Sequence, residues 1–126
     1  MEELLLARIK GATAVAALAA TRVNWNLRPQ NGSLPAVTLK VISAPGDYTL
    51  AGPSGLIQAR VQIDSWGTSY GSARALQRAV RACVDGWKSG AILGVFVDSE
   101  RDLPNDEQVN IIFGISTDVM VSYKQP

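Results

Sequence analysis

Histidine is missing from this sequence altogether, and that absence limits the chemistry that the chain can perform. A serine nucleophile needs a base to take its proton, and that base is usually a histidine. The sequence also contains no phosphate-binding loop, no Cys/His zinc pattern and no dinucleotide fingerprint. We therefore expect a protein that is not an enzyme and that has no catalytic residue, cofactor or metal site.

Disulfides, an excess of charge and long apolar runs are missing as well. One cysteine cannot form an internal disulfide, which suits a reducing compartment. Lys and Arg total 12 against 11 for Asp and Glu, so any contact with DNA has to be local. No apolar run approaches the roughly 18 residues that span a membrane. The acidic start at Glu2 and Glu3 is unlike a secretory signal. We expect a soluble protein with no export signal and no membrane partner.

The clearest pattern present is a strand from Gln58 to Gly67, within a chain whose 126 residues fit one domain over 1–126. Apolar and polar side chains alternate along it, and alternation places the two sets on opposite faces of a strand. The buried face takes Ala59, Val61 and Ile63. The polar face takes Arg60, Gln62 and Asp64.

A long amphipathic helix is predicted directly after this strand, from Ser69 to Trp87. Apolar residues recur in it at spacings of three and four and form one stripe for the sheet: Ala73, Leu76, Val80, Cys83 and Trp87. We interpret Cys83 as a small buried residue in preference to a reactive thiol. Another helix face is either a solvated surface or a contact for carboxylates or a nucleic-acid backbone, and it carries Arg74, Arg78 and Arg81.

Two helices are predicted at the N-terminus. Acidic residues at the start and basic residues at the end favour a helix over Glu2–Lys10, which Gly11 ends. An Ala-rich helix with Thr13 as its cap follows, or else the first helix continues past Gly11. We interpret this second helix as packing against a sheet, and a partner helix is the alternative.

Residues 22–35 predict a loop with an aromatic anchor, since Asn, Pro, Gly and Ser surround Trp25 and Leu27. Alternating β-branched residues then predict a strand, whose inward residues are Val37, Leu39 and Val41. After it, Ala44–Gly55 is rich in Gly and Pro, which predicts a long mobile loop or an extended arm. Because this segment carries Tyr48 and Leu50, either a partner contact or an ordinary hairpin loop fits it.

The C-terminal part predicts two further strands joined by a turn at Leu103–Asp106. The first covers Ala91–Arg101 and places three carboxylates on one alternating face: Asp98, Glu100 and Asp102. The returning strand alternates in one odd-numbered phase through Val109, Ile111, Phe113, Ile115, Val119, Val121 and Tyr123. We predict a bulge near Gly114–Thr117 in this strand.

Two motifs suggest chemistry that the rest of the chain does not support. Residues 67–71 match the G-x-S-x-G nucleophile elbow between a strand and a helix. Without a histidine, we interpret Ser69 as a helix N-cap. Carboxylates on one strand face can hold a hard cation, but acids on an exposed strand face are far commoner. We therefore predict no metal site at Asp98, Glu100 and Asp102.

Together these elements predict an α+β fold: a single, mainly antiparallel sheet of about four strands packed against a long helix and an N-terminal helical segment. In the order of its elements, the chain resembles the tail completion family of long-tailed phages, also called tail terminator or head-tail joining proteins. Similar proteins occur in prophages and gene transfer agents. Four stretches carry the resemblance: Leu4–Ile9, Pro35–Leu39, Arg60–Gly67 and Asp118–Tyr123.

The resemblance implies a subunit of a homo-oligomeric ring, usually a hexamer, at the head-proximal end of the tail tube. Such a ring stops tube growth, docks on the head connector or adaptor, and lets DNA pass without tight binding. It implies a virion protein that assembles in the cytoplasm of the bacterial host, and it provides no catalytic residues. Eight residues are candidate contacts: Tyr48, Leu50, Arg60, Gln62, Asp64, Arg74, Arg78 and Arg81.

Two other functions compete with this expectation. One is a small α+β ligand-binding or regulatory module, in which a specific small molecule would raise the thermal midpoint. The other is a hydrolase that uses Ser69, which a serine-directed probe would label. Both make predictions that the ring subunit does not make.

Overall fold

The computed structural model describes residues 1–20, 22–26, 34–50, 52–103 and 112–124, and for 46–49 and 52–54 it describes the backbone alone. Three helices and six strands lie in these ranges. In chain order they are α1 (Glu2–Gly11), α2 (Thr13–Ala19), β1 (Val23–Trp25), β2 (Ala36–Ser43), β3 (Gly46–Thr49), β4 (Gly52–Gly67), α3 (Tyr70–Val84), β5 (Ile92–Asp102) and β6 (Phe113–Lys124).

The six strands form one sheet. Five of them follow the order β1-β2-β4-β6-β5, and β3 pairs with β4 outside that order. β1 runs parallel to β2, whereas every other pairing is antiparallel. The predicted α+β class with a mainly antiparallel sheet is confirmed, and β1 and β3 are the strands that the sequence did not reveal.

Strand β4 is the central strand of the sheet, as its regular alternation suggests. It is 16 residues long and pairs with β2 on one side and with β6 on the other. Its residues 56–67 pair with β6 in unbroken register. The bulge predicted near Gly114–Thr117 is therefore wrong, and the register shifts occur in the pairing of β5 with β6.

All three helices cover one face of the sheet, which we call the inner face. Helix α3 packs on β4 and β6, and α1 and α2 pack against α3. The inward residues of β4 and β6 are buried in the resulting core, as their alternation predicts: Ala59, Val61, Ile63, Val119 and Val121. We call the opposite side of the sheet the outer face.

Helix α3 ends earlier than its apolar spacing predicts. It stops at Val84, whereas the predicted end is Trp87. Gly86 adopts a positive φ of 78°, and its amide donates a hydrogen bond to the carbonyl oxygen of Val95 at 2.8 Å. This turn directs the chain into β5. Ala73, Leu76 and Val80 of the predicted stripe are buried, while Cys83 and Trp87 are partly exposed.

The N-terminal helices fall where the sequence places them, but their caps differ. Helix α1 covers Glu2–Gly11. Thr13 is the first residue of α2 and not its cap, because Ala12 takes the extended cap conformation and no side chain caps the helix. Arg8 joins α1 to α3: its Nε donates to the Cys83 carbonyl oxygen at 2.8 Å, and its guanidinium lies 5.5 Å from the centre of the Trp87 ring.

The predicted loop over 22–35 contains a strand at its start. Val23–Trp25 pairs with β2, so the loop prediction is wrong for these three residues. Trp25 does act as an anchor, since its Nε1 donates to the Glu2 carbonyl oxygen at 3.3 Å. Leu27 lies outside the described residues, as do 104–111, which hold most of the predicted turn and the start of the returning strand.

Candidate functional site

The outer face of the sheet carries the polar side chains of β4. Arg60, Gln62 and Asp64 are partly exposed there, while their neighbours along the strand are buried on the inner face. Among the described residues, no helix packs on this face, because the helices share the core on the inner side. The outer face is therefore a sheet surface that none of the described helices covers.

Hydrogen bonds and ion pairs connect the polar side chains of the outer face across three strands. Arg60 contacts Asp98 at 2.7 Å and Asp118 at 3.8 Å, and Arg101 contacts Asp118 at 3.1 Å. The hydrogen bond to Asp98 raises the pKa of the Arg60 guanidinium above its ordinary value. These two cations are thus neutralised inside the chain, and we call this group the ion-pair network.

Gln62 links the ion-pair network to the third predicted residue of the polar face. Its Oε1 accepts a hydrogen bond from Arg101 at 3.1 Å, and its Nε2 donates to the Asp64 carboxylate at 3.0 Å. The three residues predicted from alternation are therefore brought together. The sequence did not indicate their partners on β5 and β6, because cross-strand neighbours depend on register.

Apolar side chains occupy the neighbouring part of the outer face. Ser43, Arg60, Met120 and Phe96 form one cross-strand row, so Phe96 shares the face of Arg60. Phe96 is 64% exposed, and Ile42, beside Ser43, is 47% exposed. We call the neighbouring pair Met120 and Phe96 the apolar patch. The position of Phe96 between the inward residues Val95 and Val97 is the sequence signal that could have found it.

The acidic residues of β5 do not share one face, contrary to the prediction. The register shifts between Val97 and Ser99, which marks a β-bulge. Asp98 contacts Arg60 on the outer face, whereas Glu100 contacts α3 on the inner side. Asp102 also lies toward α3, where its Oδ1 accepts a hydrogen bond from the Tyr70 hydroxyl at 3.4 Å. Within the described part of the chain, no three acidic or cysteine side chains are grouped closely enough to hold a metal ion.

Glu100 of the edge strand β5 connects the sheet to α3 through hydrogen bonds with two arginines. Its carboxylate accepts hydrogen bonds from Arg74, at 3.2 Å, and from Arg81. Burial by itself would raise the pKa of this carboxyl, but hydrogen bonds from Arg81 and Gln77 and the two arginine charges together lower it. Of the three predicted arginines, Arg74 and Arg81 are therefore paired within the chain. Arg78 is exposed and has no ion pair with any residue that the structure describes.

Ser69 is the N-cap of α3, as predicted. Its Oγ accepts a hydrogen bond from the Ser72 amide at 3.1 Å. The strand meets the helix closely, since a Cβ on Gly67 would lie 2.7 Å from the backbone nitrogen of Ala73. The Gly and Ser residues of this motif thus have a structural explanation in the tight turn from strand to helix.

The Cys83 thiol lies in the contact between α1 and α3. It is partly buried, and its Sγ donates to the Val80 carbonyl oxygen at 3.2 Å. Burial raises the pKa of the thiol, and the nearby charge of Arg8 opposes this only in part. The thiol therefore stays protonated at neutral pH, which agrees with a packing residue.

Tyr123 at the end of β6 is also affected by burial. Burial, and to a smaller extent the charge of Glu2, raise the pKa of its hydroxyl.

A β-hairpin replaces most of the loop predicted over Ala44–Gly55. Strand β3 pairs with the beginning of β4, from Gly46↔Ile57 to Thr49↔Gly52. Strand β6 ends opposite Leu56, and Gly46 of β3 still lies opposite Ile57. The register shifts between Gly46 and Tyr48, and the remainder of β3 pairs with the part of β4 that extends beyond β6. We call the described residues of this segment, 46–50 and 52–55, the arm.

The arm carries Leu50 at its tip, where the side chain is fully exposed. Tyr48 belongs to β3 and pairs with Pro53, but its side chain is outside the description. A hairpin therefore occupies this segment in place of a long irregular loop, and a partner contact through Tyr48 and Leu50 stays a prediction. Separately, none of the described helices has the length and the apolar composition that a transmembrane span requires.

Comparison with known proteins agrees with this architecture. The family described as tail completion protein gp17 matches residues 3–119. No curated protein matches the chain. Among solved structures, a chain from the virion of a native gene transfer agent particle superimposes with a TM-score of 0.76. It is 16% identical, and the alignment covers 95% of this chain and 91% of that chain. At this identity the similarity shows a shared fold.

Proposed function

The chain belongs to the tail completion protein gp17 family, and from that premise we propose that it forms a ring at the head-proximal end of a tail tube. Membership in this family makes it a structural component of a phage-type tail. The proposed ring is a homo-hexamer that stops growth of the tube and joins the tail to the head connector or adaptor. The family match over residues 3–119 is the observation that carries the proposal.

The open surfaces of the fold support a role in assembly. One face of the sheet is covered by helices and the other is not, and an arm extends beyond the sheet. Ring subunits need two different surfaces, one for the neighbour on each side, because a head-to-tail contact that closes generates a ring. The outer face and the arm are two such surfaces on one chain.

The charge distribution supports a passage that DNA can slide through. Tight DNA binding needs Lys and Arg that are free to neutralise phosphates. On the outer face, Arg60 and Arg101 are already paired with Asp98 and Asp118. The net charge of the whole sequence is +1. We therefore propose that DNA passes the ring without tight or sequence-specific binding, with these paired arginines, rather than free ones, on the outer face.

Assembly of the purified protein tests the proposal. We expect native mass spectrometry and analytical ultracentrifugation to show a concentration-dependent oligomer of six copies. Electron microscopy should place it at one end of tail tubes, and its addition to growing tubes should fix their length. A protein that stayed monomeric even with its tube and connector partners would contradict the proposal. Rings that bound along the sides of tubes would contradict the terminal position.

The proposal also locates the protein. In the assembled state it belongs to the virion, between tail and head, and before assembly it belongs to the cytoplasm of the bacterial host. Labelling the chain with gold-tagged antibody in intact particles tests this position. The label should form one cluster at the head-tail junction. Label at the distal tail end or on the head would contradict it.

A further inference from the structure

The strand register breaks inside the arm. Gly46 of β3 pairs with Ile57 of β4, and further along β3 Tyr48 pairs with Pro53. Two steps along β3 therefore correspond to four steps along β4, so that β4 contributes two residues more than β3 to this stretch. Such a surplus is a β-bulge, and a bulge bends the strand that contains it.

Gly55 lies in this bulge with a left-handed backbone. Its φ is 81°, a conformation that an L side chain disfavours by roughly 5- to 30-fold. A Cβ at this position would meet no heavy atom within 4 Å, so the backbone conformation and not a lack of space requires a glycine. The next residue, Leu56, is the last one of β4 opposite β6, and no described residue of β6 pairs with Gly55.

The two strands of the arm have a second register that keeps each residue on its face of the hairpin. Continuing the register of Gly46 would place Tyr48 opposite Gly55. The loop would then have four residues, against two in the described register, and hairpin loops of both lengths are common. Because side chains alternate with period two, a shift of two residues preserves the faces, whereas a shift of one residue would exchange them.

Pro53 and Gly55 make the second register accessible. In the described register Pro53 lies within the ladder opposite Tyr48, although proline has no amide hydrogen to donate to a ladder. In the second register Pro53 lies in the loop, where proline is common. Gly55 would then adopt an extended conformation, which glycine takes as readily as the left-handed one.

We propose that the arm exchanges between these two registers. In the bent register Gly55 forms the bulge, and in the straight register Tyr48 lies opposite Gly55. Since a bulge bends its strand, the exchange changes the direction in which the arm leaves the sheet. A partner shifts such an equilibrium only by binding the two forms with different affinities. In a ring, contact with a neighbouring copy would therefore hold the arm in one direction, a consequence that rests on the proposed function.

Nuclear Overhauser effects in the dilute chain test the exchange without any assembly. Backbone contacts between Tyr48 and Pro53 report the bent register, and backbone contacts between Tyr48 and Gly55 report the straight one. We expect both sets in the unchanged protein, together with relaxation dispersion of the arm amides. A single set with no dispersion would overturn the inference.

Two substitutions should move the ratio of the registers in opposite directions. Gly55→Val disfavours the left-handed backbone and should shift the ratio toward the straight register by roughly 5- to 30-fold. Pro53→Ala restores an amide donor to the ladder and should shift the ratio toward the bent register. A ratio that neither variant moves, or that Gly55→Val moves toward the bent register, would contradict the exchange.

Two other glycines supply the controls. Gly71→Ala adds a methyl group in open space without a left-handed φ, and Gly86→Ala adds one at a left-handed φ of 78° outside the arm. Both should leave the ratio of the registers unchanged. A shift of the ratio in either control would show that the effect of Gly55→Val is not specific to the bulge.

Ring formation is measured separately, by sedimentation at graded concentrations with the tail partners. Gly55→Val and Pro53→Ala should change the concentration at which rings form in opposite directions, and equal changes would contradict the link between register and assembly. If the unchanged protein forms no ring while the ratio responds as expected, the proposed function fails and the two-register arm stands. If rings form while every variant shows one register, only this inference fails.

Discussion

The two faces of the sheet hold different kinds of side chain, although the same strands supply both. The inner face is lined by buried apolar residues that join α1, α2 and α3 in one core. The outer face has an ion-pair network beside an apolar patch that stays exposed. The comparison separates the two faces by what they contribute to folding: burial of apolar area on the inner face drives it, whereas Phe96 on the outer face stays exposed and takes no part in that burial.

Strand β4 shows this division residue by residue. Ile63 is completely buried on the inner face. Gln62 is partly exposed on the outer face and makes hydrogen bonds to Arg101 and Asp64. A change at the inner position should therefore damage the fold, and a change at the outer position should leave it intact.

The largest expected effect comes from removing inner-face volume. Ile63→Ala should lower the free energy of unfolding by about 2–5 kcal/mol, since it leaves a cavity in the centre of the core. Gln62→Ala, the matched outer-face control, should lower it by less than about 1 kcal/mol. Urea denaturation of the dilute protein gives both values. Equal losses at the two positions would contradict the division between the faces.

A smaller effect is expected where the inner layer meets the sheet most closely. Gly67→Ala would place a Cβ 2.7 Å from the backbone nitrogen of Ala73, and that atom cannot move without shifting α3. We expect a loss of about 1–3 kcal/mol. Gly71 has open space around it in the first turn of α3, so Gly71→Ala should be neutral or slightly stabilising. A thermal melt of each variant distinguishes the two, and a tolerated Gly67→Ala would show that the turn is looser than described.

The bulge in β5 allows one acidic stretch to be compared on both faces. Glu100→Gln should lower the free energy of unfolding at pH 7 by about 1 kcal/mol, because a partly exposed carboxylate loses two arginine partners. Asp98→Asn on the outer face should change it by no more than about 0.5 kcal/mol.

The pH dependence of stability tests the direction of the Glu100 pKa shift. Its folded-state pKa is lowered, so its stabilising effect is present above the unfolded value of about 4.3 and is lost as the pH falls through the folded value. The stability difference between the unchanged protein and Glu100→Gln should therefore shrink as the pH falls from 5 toward about 3. Urea midpoints across this range measure it, and a difference that stays constant would contradict the assigned pKa shift.

The smallest effect on folding is expected at Arg78. This side chain is exposed on α3 without an ion pair to a described residue, so Arg78→Ala should change the free energy of unfolding by less than about 0.5 kcal/mol. If Arg78 contacts a carboxylate on a neighbouring protein, the same change should weaken assembly or docking in a salt-dependent way. Arg74→Ala is the matched comparison, because Arg74 is already held by Glu100. Unchanged assembly at every salt concentration would remove Arg78 from the candidate contacts.

Sequence periodicity predicted the inner face well because burial imposes it. The alternation of β4 and β6 and the spacing of Ala73, Leu76 and Val80 in α3 all reflect contact with one core. The resemblance based on four stretches of the chain also agrees with the family that matches. These features depend on local pattern and on composition, which the sequence contains directly.

The outer face and the arm could not be predicted in the same way. The bulge after Val97 reverses the faces of Glu100 and Asp102, and no residue type in that stretch signals it. Strand β3 lies in a Gly- and Pro-rich segment whose composition resembles a loop, and β1 has three residues, which is too short for a periodic pattern. The pairs of the ion-pair network are set by strand register, so residue periodicity alone could not predict them.

The same irregularity of β5 has a consequence for how copies of the protein can meet. β5 and β1 are the two ends of the five-strand order. The pairing of β5 with β6 shifts register twice, and β1 is only three residues long. An interrupted or very short terminal strand is a poor template for a strand of another molecule, which protects a sheet from edge-to-edge aggregation. Neither end of the five-strand order therefore offers another copy of the chain a long, regular edge on which to add strands.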